Sequence, residues 1–276
     1  MNEAVEREFN PRVSVPDTEP YIKRGAEQSA KAYATHEHQS DLSYAPGDLT
    51  TLDYFPCGQP GRPLFVFIHG GFWRGRDKKD FAYVANSMLP TGCNVALMNY
   101  DLCPTVTVTQ ITQQIRDGLV WLSSQATKLG FKSGLLVAGH SAGAHLLAMT
   151  LAKTGQSYQL PDQVVNKAYL ISGIYDCSPV LEISVNEEIR MTEQEVPLMS
   201  PIRFAMPAGV QYEVLAGGAE PAGWVKQSTD FAEHLHRHGC NVNMQLRPGL
   251  NHYSILQEFE TSDGYLPQLI QRDLKA

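Results

Sequence analysis

Two spacings of apolar residues alternate along most of the 276-residue chain. Continuous apolar runs at Pro63–Ile68, Asn94–Met98, Leu135–Ala138 and Ala168–Ile171 have the length and density of strands buried on both faces. Gln211–Leu215 and Asn241–Leu246 read as two further strands. Leu42–Tyr44 and Thr50–Phe55 read as a pair joined by a turn at Pro46-Gly47-Asp48. Between these runs the period changes. Phe81, Val84, Ala85, Met88 and Leu89 share one face of a helix over Lys78–Leu89. Val108, Ile111, Ile115, Leu119 and Leu122 do the same over Thr107–Leu129, with Gly130 placed to end that helix. Helices are also expected over Tyr21–Ala34, His145–Leu151, Gly223–His238 and Leu266–Leu274. Strands alternating with helices of this length define an α/β class, a mostly parallel sheet covered by helices on both faces.

Two stretches leave this rhythm. Met1–Asp17 is polar and punctuated by proline, and is expected as an arm on the surface. Ser178–Pro201 is acidic (Glu182, Glu187, Glu188, Glu193, Glu195) with isolated apolar residues, and is expected as a small inserted helical cap outside the core. No repeat, low-complexity tract or long linker divides the chain. It is therefore expected to be a single domain over 1–276, with an N-terminal arm and helix over 1–38 and the cap over 178–201.

The chemistry concentrates around LLVAGHSAGAHLLAMT, Leu135 to Thr150. An apolar strand ends in Gly139-His140-Ser141-Ala142-Gly143 and a helix follows at once. This G-x-S-x-G turn throws the Ser141 hydroxyl clear of the backbone, and the two glycines let strand and helix approach closely. In open parallel sheets, ligands bind beyond the carboxyl ends of the strands. The residues at those ends are His69-Gly70-Gly71-Phe72-Trp73, Ser141, Tyr175-Asp176, Glu220 and His252. A serine hydroxyl needs a base within reach and the base needs an orienting acid. Ser141 as nucleophile, Glu220 as acid and His252 as base follow the chain order of one known triad arrangement, with Asp176 the alternative acid. The backbone N–H groups of Gly70, Gly71 and Ala142 are the expected donors to an oxyanion. Phe72, Trp73 and Tyr175 are expected to line the pocket and stack on a flat or aromatic leaving group. His234 and His238 have metal-pair spacing, but no carboxylate joins them at motif distance, so no metal site is assigned.

Composition narrows the partners. The net charge of −7 argues against nucleic acid or an anionic membrane as partner, since either wants a basic face. The first ten residues are charged and lack a signal peptide's apolar region, and no apolar run approaches the ~18 residues that span a bilayer. The five cysteines are scattered, odd in number and without a C-x-x-C, which suits a reducing compartment. A cytoplasmic protein acting on a small amide or ester is expected. Its oligomeric state stays open, with a homodimer among the options.

His69-Gly70-Gly71-Phe72-Trp73 together with Gly139-His140-Ser141-Ala142-Gly143 resembles the hormone-sensitive-lipase side of the α/β-hydrolases. The chain is most similar there to the kynurenine formamidase (arylformamidase) group. Asn99-Tyr100, Ile171-Ser172-Gly173-Ile174-Tyr175-Asp176, Gln227-Ser228, Asn251-His252-Tyr253 and the opening Phe9-Asn10-Pro11-Arg12 carry the likeness over nearly the whole chain. The resemblance implies an eight-stranded α/β-hydrolase sheet, a Ser–acid–His triad and no cofactor. It implies amide hydrolysis through an acyl-enzyme; a short-chain carboxylesterase using the same residues, and a non-catalytic binding protein on the same fold, are the alternatives. The chain departs from the group at the acid, where Glu220-Pro221-Ala222-Gly223-Trp224 replaces an Asp-Ser-Pro-Glu-Phe pattern.

Overall fold

A computed structural model describes residues 1–155 and 160–274. Eight strands form one sheet: β1 (Gln39–Ser43), β2 (Thr51–Phe55), β3 (Arg62–Ile68), β4 (Asn94–Met98), β5 (Phe131–His140), β6 (Val165–Ile171), β7 (Gln211–Gly217) and β8 (Asn241–Arg247). Their spatial order is β1-β2-β4-β3-β5-β6-β7-β8. The pairs β1–β2 and β2–β4 are antiparallel and every later pair is parallel.

Side chains of a strand alternate between faces, and β3 shows how this divides the core. Leu64, Val66 and Ile68 pack with Ile111, Ile115 and Leu119 of α5 (Val108–Leu129), Leu146 of α6 (Ala142–Leu151) and Phe231 of α8 (Ala222–Arg237). Phe65 and Phe67 face the other way. They pack with Ala32 of α3 (Glu19–Thr35), Val84 and Met88 of α4 (Tyr83–Met88), and Leu266 and Ile270 of α9 (Tyr265–Asp273). The apolar stripe read for α5 is fully buried at Ile111, Ile115, Leu119 and Leu122. A capping box between Thr107 and Gln110 starts the helix, and Gly130 at φ +75° ends it.

Some boundaries differ from expectation. The helix expected over Lys78–Leu89 is divided into a 3-10 turn (Lys78–Phe81), α4 and a second 3-10 turn (Leu89–Thr91). The helix after Ser141 begins at Ala142, not His145. β5 begins at Phe131 because Arg62 and Pro63 of β3 pair with Phe131 and Lys132. The polar residues Lys132 and Ser133 concealed that extension in the sequence.

Two expectations need larger correction. The first residues lie mostly on the surface as expected, but as helices and not as an extended arm: they form α1 (Glu3–Phe9) and α2 (Pro11–Ser14). Asn10 caps α2 by accepting from Arg12 N–H, and Pro11 opens the helix. The stretch over 178–201 is not outside the core. Its acidic side chains Glu182, Glu187, Glu188 and Glu193 point to solvent, whereas Val180, Ile183, Val185, Ile189, Met191, Val196 and Met199 are buried in the main cluster. It forms 3-10 turns and the short α7 (Asn186–Ile189). α1 is fastened to it: Ser184 donates from both N–H and hydroxyl to Glu6, at 2.7 and 2.6 Å. No described helix is long and apolar enough to cross a membrane.

Candidate active site

Strands β3, β5, β6, β7 and β8 run parallel, so the loops leaving their carboxyl ends meet on one edge of the sheet. Ser141 lies between the last residue of β5 and the first of α6, at φ +56° and ψ −119°. A side chain at φ near +60° is strained and persists only where its surroundings enforce it. Here the neighbours do so. A Cβ at Gly139 would sit 2.3 Å from the Gly143 carbonyl oxygen, and one at Gly143 would sit 2.1 Å from that of Ile68. Both glycines are needed for the turn to close against β3, and the Ser141 N–H donates to Ile171 O at 2.9 Å.

His252 lies in the loop after β8, its ring centroid 4.7 Å from that of His140 in the turn. Its Nδ1 is 2.6 Å from Glu220 Oε1. A carboxylate oxygen accepts, so Nδ1 carries the proton and Nε2 of the neutral ring keeps its lone pair. Glu220 is itself fixed: its Oε2 accepts from Ser172 Oγ at 3.0 Å and from Gly217 N–H at 2.9 Å. Its side chain is wholly buried. Asp176 does not reach His252. Its Oδ1 accepts from the N–H and hydroxyl of Ser178, bracing the start of the 178–201 stretch. Of the two acids left open by the sequence, the geometry joins Glu220 to the histidine.

Gly70 and Gly71 follow β3 and line the same pocket as Ser141 and His252. Gly71 has φ +122°, and a Cβ there would meet Gly75 O at 2.1 Å. Among the described residues, no acceptor takes the N–H of Gly70, Gly71 or Ala142. The peptide between Gly70 and Gly71 is held from behind: His69 Nδ1 is 2.7 Å from Gly70 O, and its Nε2 is 2.8 Å from Asn99 Oδ1. Burial pushes the His69 pKa down.

The three aromatic residues expected in the pocket part company. Phe72 lines it. Trp73 is fully buried, and its Nε1–H donates to His145 Nδ1 at 3.1 Å, behind the glycine loop. Tyr175 is also fully buried, stacked on Phe231 with ring centroids 4.1 Å apart and planes 2° from parallel. Neither is available to a ligand. The reason is local: Trp73 packs beneath its own loop, and Tyr175 turns toward α8. His145 is buried under the turn, and burial takes its pKa down to about 4. His234 Nε2 is bonded to Phe204 O at 2.7 Å, and His238 Nδ1 to His234 O at 2.8 Å.

The remaining wall comes from residues that sequence reasoning missed. Arg12 from α2, Tyr21 from α3 and Tyr253 beside His252 all line the pocket. Tyr21 and Tyr253 stack, centroids 5.9 Å apart. Burial raises the Tyr253 phenol, and the adjacent Arg12 opposes that shift. Of the other charged residues around the pocket, Arg74 pairs with Glu188 at 2.6 Å, Arg76 with Asp80 at 3.2 Å, and Glu260 with Arg24 at 2.7 Å. No carboxylate among the described residues pairs with Arg12. The one signal in the sequence was Asn10-Pro11, an N-cap followed by proline at the first helical position, which marks a helix start where an arm was expected.

The chain is similar to several known proteins. The sequence profile of the BD-FAE family matches residues 54–228, more than half of the chain and including Gly70, Gly71, Ser141 and Glu220. The kynurenine formamidase of Salmo salar is 29% identical over 96% of this chain and 94% of its own length. That of Drosophila melanogaster is 28% identical over 90% and 85%. A solved structure from Silicibacter sp. tm1040 superposes with a TM-score of 0.84 at 25% identity, covering 96% of this chain and 98% of that one. The thermophilic carboxylesterase EstE1, cloned from a metagenomic library, shares the fold with a TM-score of 0.74 at 15% identity, over 94% and 97% of the two chains. The eight-stranded sheet with its serine turn, and a family match of this extent, make one conclusion: this chain is an α/β-hydrolase and belongs to the BD-FAE family.

Proposed function

We propose that the protein hydrolyses the amide bond of a small N-formyl or similar acyl-arylamine, with Ser141, His252 and Glu220 as its triad. The observation that carries the reading is the 2.6 Å contact between His252 Nδ1 and Glu220 Oε1. It leaves Nε2 unprotonated on a ring that lines the same pocket as Ser141. Ser141 Oγ attacks the acyl carbon as its proton passes to His252 Nε2. The electron pair moves onto the carbonyl oxygen, where the N–H groups of Gly70, Gly71 and Ala142 receive it, each donor contributing roughly 3 kcal/mol. The C–N bond then breaks, the proton on Nε2 passes to the leaving nitrogen, and the amine departs. Water, deprotonated by His252, attacks the acyl carbon; the bond to Ser141 Oγ breaks, Oγ takes the proton from Nε2, and the acid is released.

The full-length likeness to kynurenine formamidases supports an amide substrate. The rings of Phe72, Tyr21 and Tyr253 support a flat leaving group. Arg12, with no carboxylate partner among the described residues, supports an anionic substituent on it. The test is acid release from formanilide, acetanilide and p-nitrophenyl acetate, with Ser141→Ala as blank. Formate from formanilide, absent in the blank, is the expected result. Rapid ester cleavage with no acid released from either amide would overturn the reading in favour of a carboxylesterase.

A further inference from the structure

The buried histidines around the site differ in how their nitrogens are used. His145 uses both: Nε2–H donates to Met199 O at 2.7 Å and Nδ1 accepts from Trp73. His140, the residue before the nucleophile, uses one. Its Nε2 is 2.9 Å from the main-chain carbonyl of His252. A carbonyl only accepts, so Nε2 carries the proton. Burial and the nearby His252 hold the His140 pKa well below the usual range, so the ring is neutral and Nδ1 keeps a free lone pair. Among the described residues, no donor is bonded to Nδ1, although the residue is 5% exposed and lines the pocket.

That lone pair has a defined place. A Cβ on Gly70 would lie 3.2 Å from His140 Nδ1 and 3.0 Å from Ser141 Cβ. Both groups therefore converge on the point where the glycine loop has no side chain. The His140 and His252 rings are 4.7 Å apart. The acceptor thus borders the space enclosed by the nucleophile, the glycine loop and the base, which is where a scissile bond must sit.

Amide and ester cleavage make different demands there. An amide nitrogen leaves only after its lone pair turns toward the base to take a proton, and its own N–H is then turned away from the base. In a closed pocket an N–H without an acceptor is expensive. An ester oxygen carries no hydrogen and makes no such demand. Resting on the amidase reading above, we infer that His140 Nδ1 accepts the N–H of the scissile amide while that nitrogen turns toward His252, favouring N–H amides over matched esters. The residue thereby contacts the reacting group itself. No bond is made or broken at His140, and the proton on the leaving nitrogen comes from His252 Nε2.

The experiment uses formanilide, N-methylformanilide and phenyl formate, which share the formyl group and the ring but differ at the leaving atom. His140→Ala is expected to lose about tenfold or more in kcat on formanilide, and less than about threefold on the other two. His140→Gln, which offers both an N–H donor and a carbonyl acceptor, should recover part of the formanilide rate. Equal losses on all three substrates would overturn the inference and leave His140 as a brace for the His252 loop. A second measurement does not depend on either variant folding. In Ser141→Ala, the 15N resonance of His140 Nδ1 should move on saturation with formanilide and stay put with N-methylformanilide. No movement with either compound would overturn the proposal. A wild-type enzyme that cleaves phenyl formate and neither amide would remove the amidase reading instead, and this inference with it.

Discussion

Replacing Glu220 by Gln changes one atom of the site, and the surrounding hydrogen bonds decide how the new amide sits. The Gly217 N–H can only donate, and it points at the present Oε2 from 2.9 Å. The amide oxygen must therefore take that position, where it also receives Ser172 Oγ. The amide NH2 is then turned toward His252 Nδ1, where it needs an acceptor. His252 satisfies it by shifting its proton from Nδ1 to Nε2, and Nε2 can then no longer serve as the proposed base. The equivalent acid-to-amide change in another serine hydrolase triad lowers kcat about 10⁴-fold through the same wrong tautomer. A loss of that size corresponds to about 5 kcal/mol of transition-state stabilisation. Stability should change little, since the volume and two of the three bonds are kept. The assay is kcat/KM for formate release from formanilide, with thermal unfolding of the same preparations. Asp176→Asn is the control and should stay within about threefold, because among the described residues that carboxylate holds only Ser178. A Glu220→Gln enzyme within tenfold of wild type, or an Asp176→Asn enzyme equally impaired, would refute the reasoning.

Three further outcomes follow from the geometry. Gly71→Ala places a Cβ 2.1 Å from Gly75 O at a backbone φ of +122°, and should lower kcat by about 10²–10³ as the oxyanion donors are displaced; an enzyme with unchanged kcat would contradict that role. Trp73→Phe removes the donor to His145 Nδ1, and should cost about 1–2 kcal/mol in chemical denaturation while leaving KM unaltered, because the ring is not in the pocket. Arg12→Ala should raise KM about tenfold for 2-formamidobenzoate and leave formanilide unaffected, since an exposed cation acts only on the charged ligand; equal effects on both would remove Arg12 as the anion contact.

The division between what the chain reveals locally and what needs its folding is physical. Gly139, Ser141 and Gly143 announce their turn because strand, turn and helix are contiguous and only glycine fits at both flanks. β3 and α5 were legible because burial on both faces, or along one stripe, leaves an unbroken apolar signature. The choice between Glu220 and Asp176 was not local, since it depends on which loop brings its carboxylate to His252. Trp73 and Tyr175 were misplaced for a related reason. An aromatic residue next to a site has two sides to turn to, and packing against His145 and Phe231 decided both. The 178–201 stretch misled because its burial is supplied by isolated residues, Val180, Ile183, Val185 and Ile189, with no period of their own. Arg12 was hidden by distance: it enters the pocket from α2, some 130 positions before Ser141.

The central claim is that Ser141 is a nucleophile activated by His252, and active-site labelling tests it most directly. Wild-type enzyme treated with a fluorophosphonate and digested for peptide mapping should carry a single adduct, on Ser141, with loss of hydrolysis in step with labelling. An enzyme that keeps its activity with Ser141 unmodified, or that carries its adduct on another residue, would contradict the account.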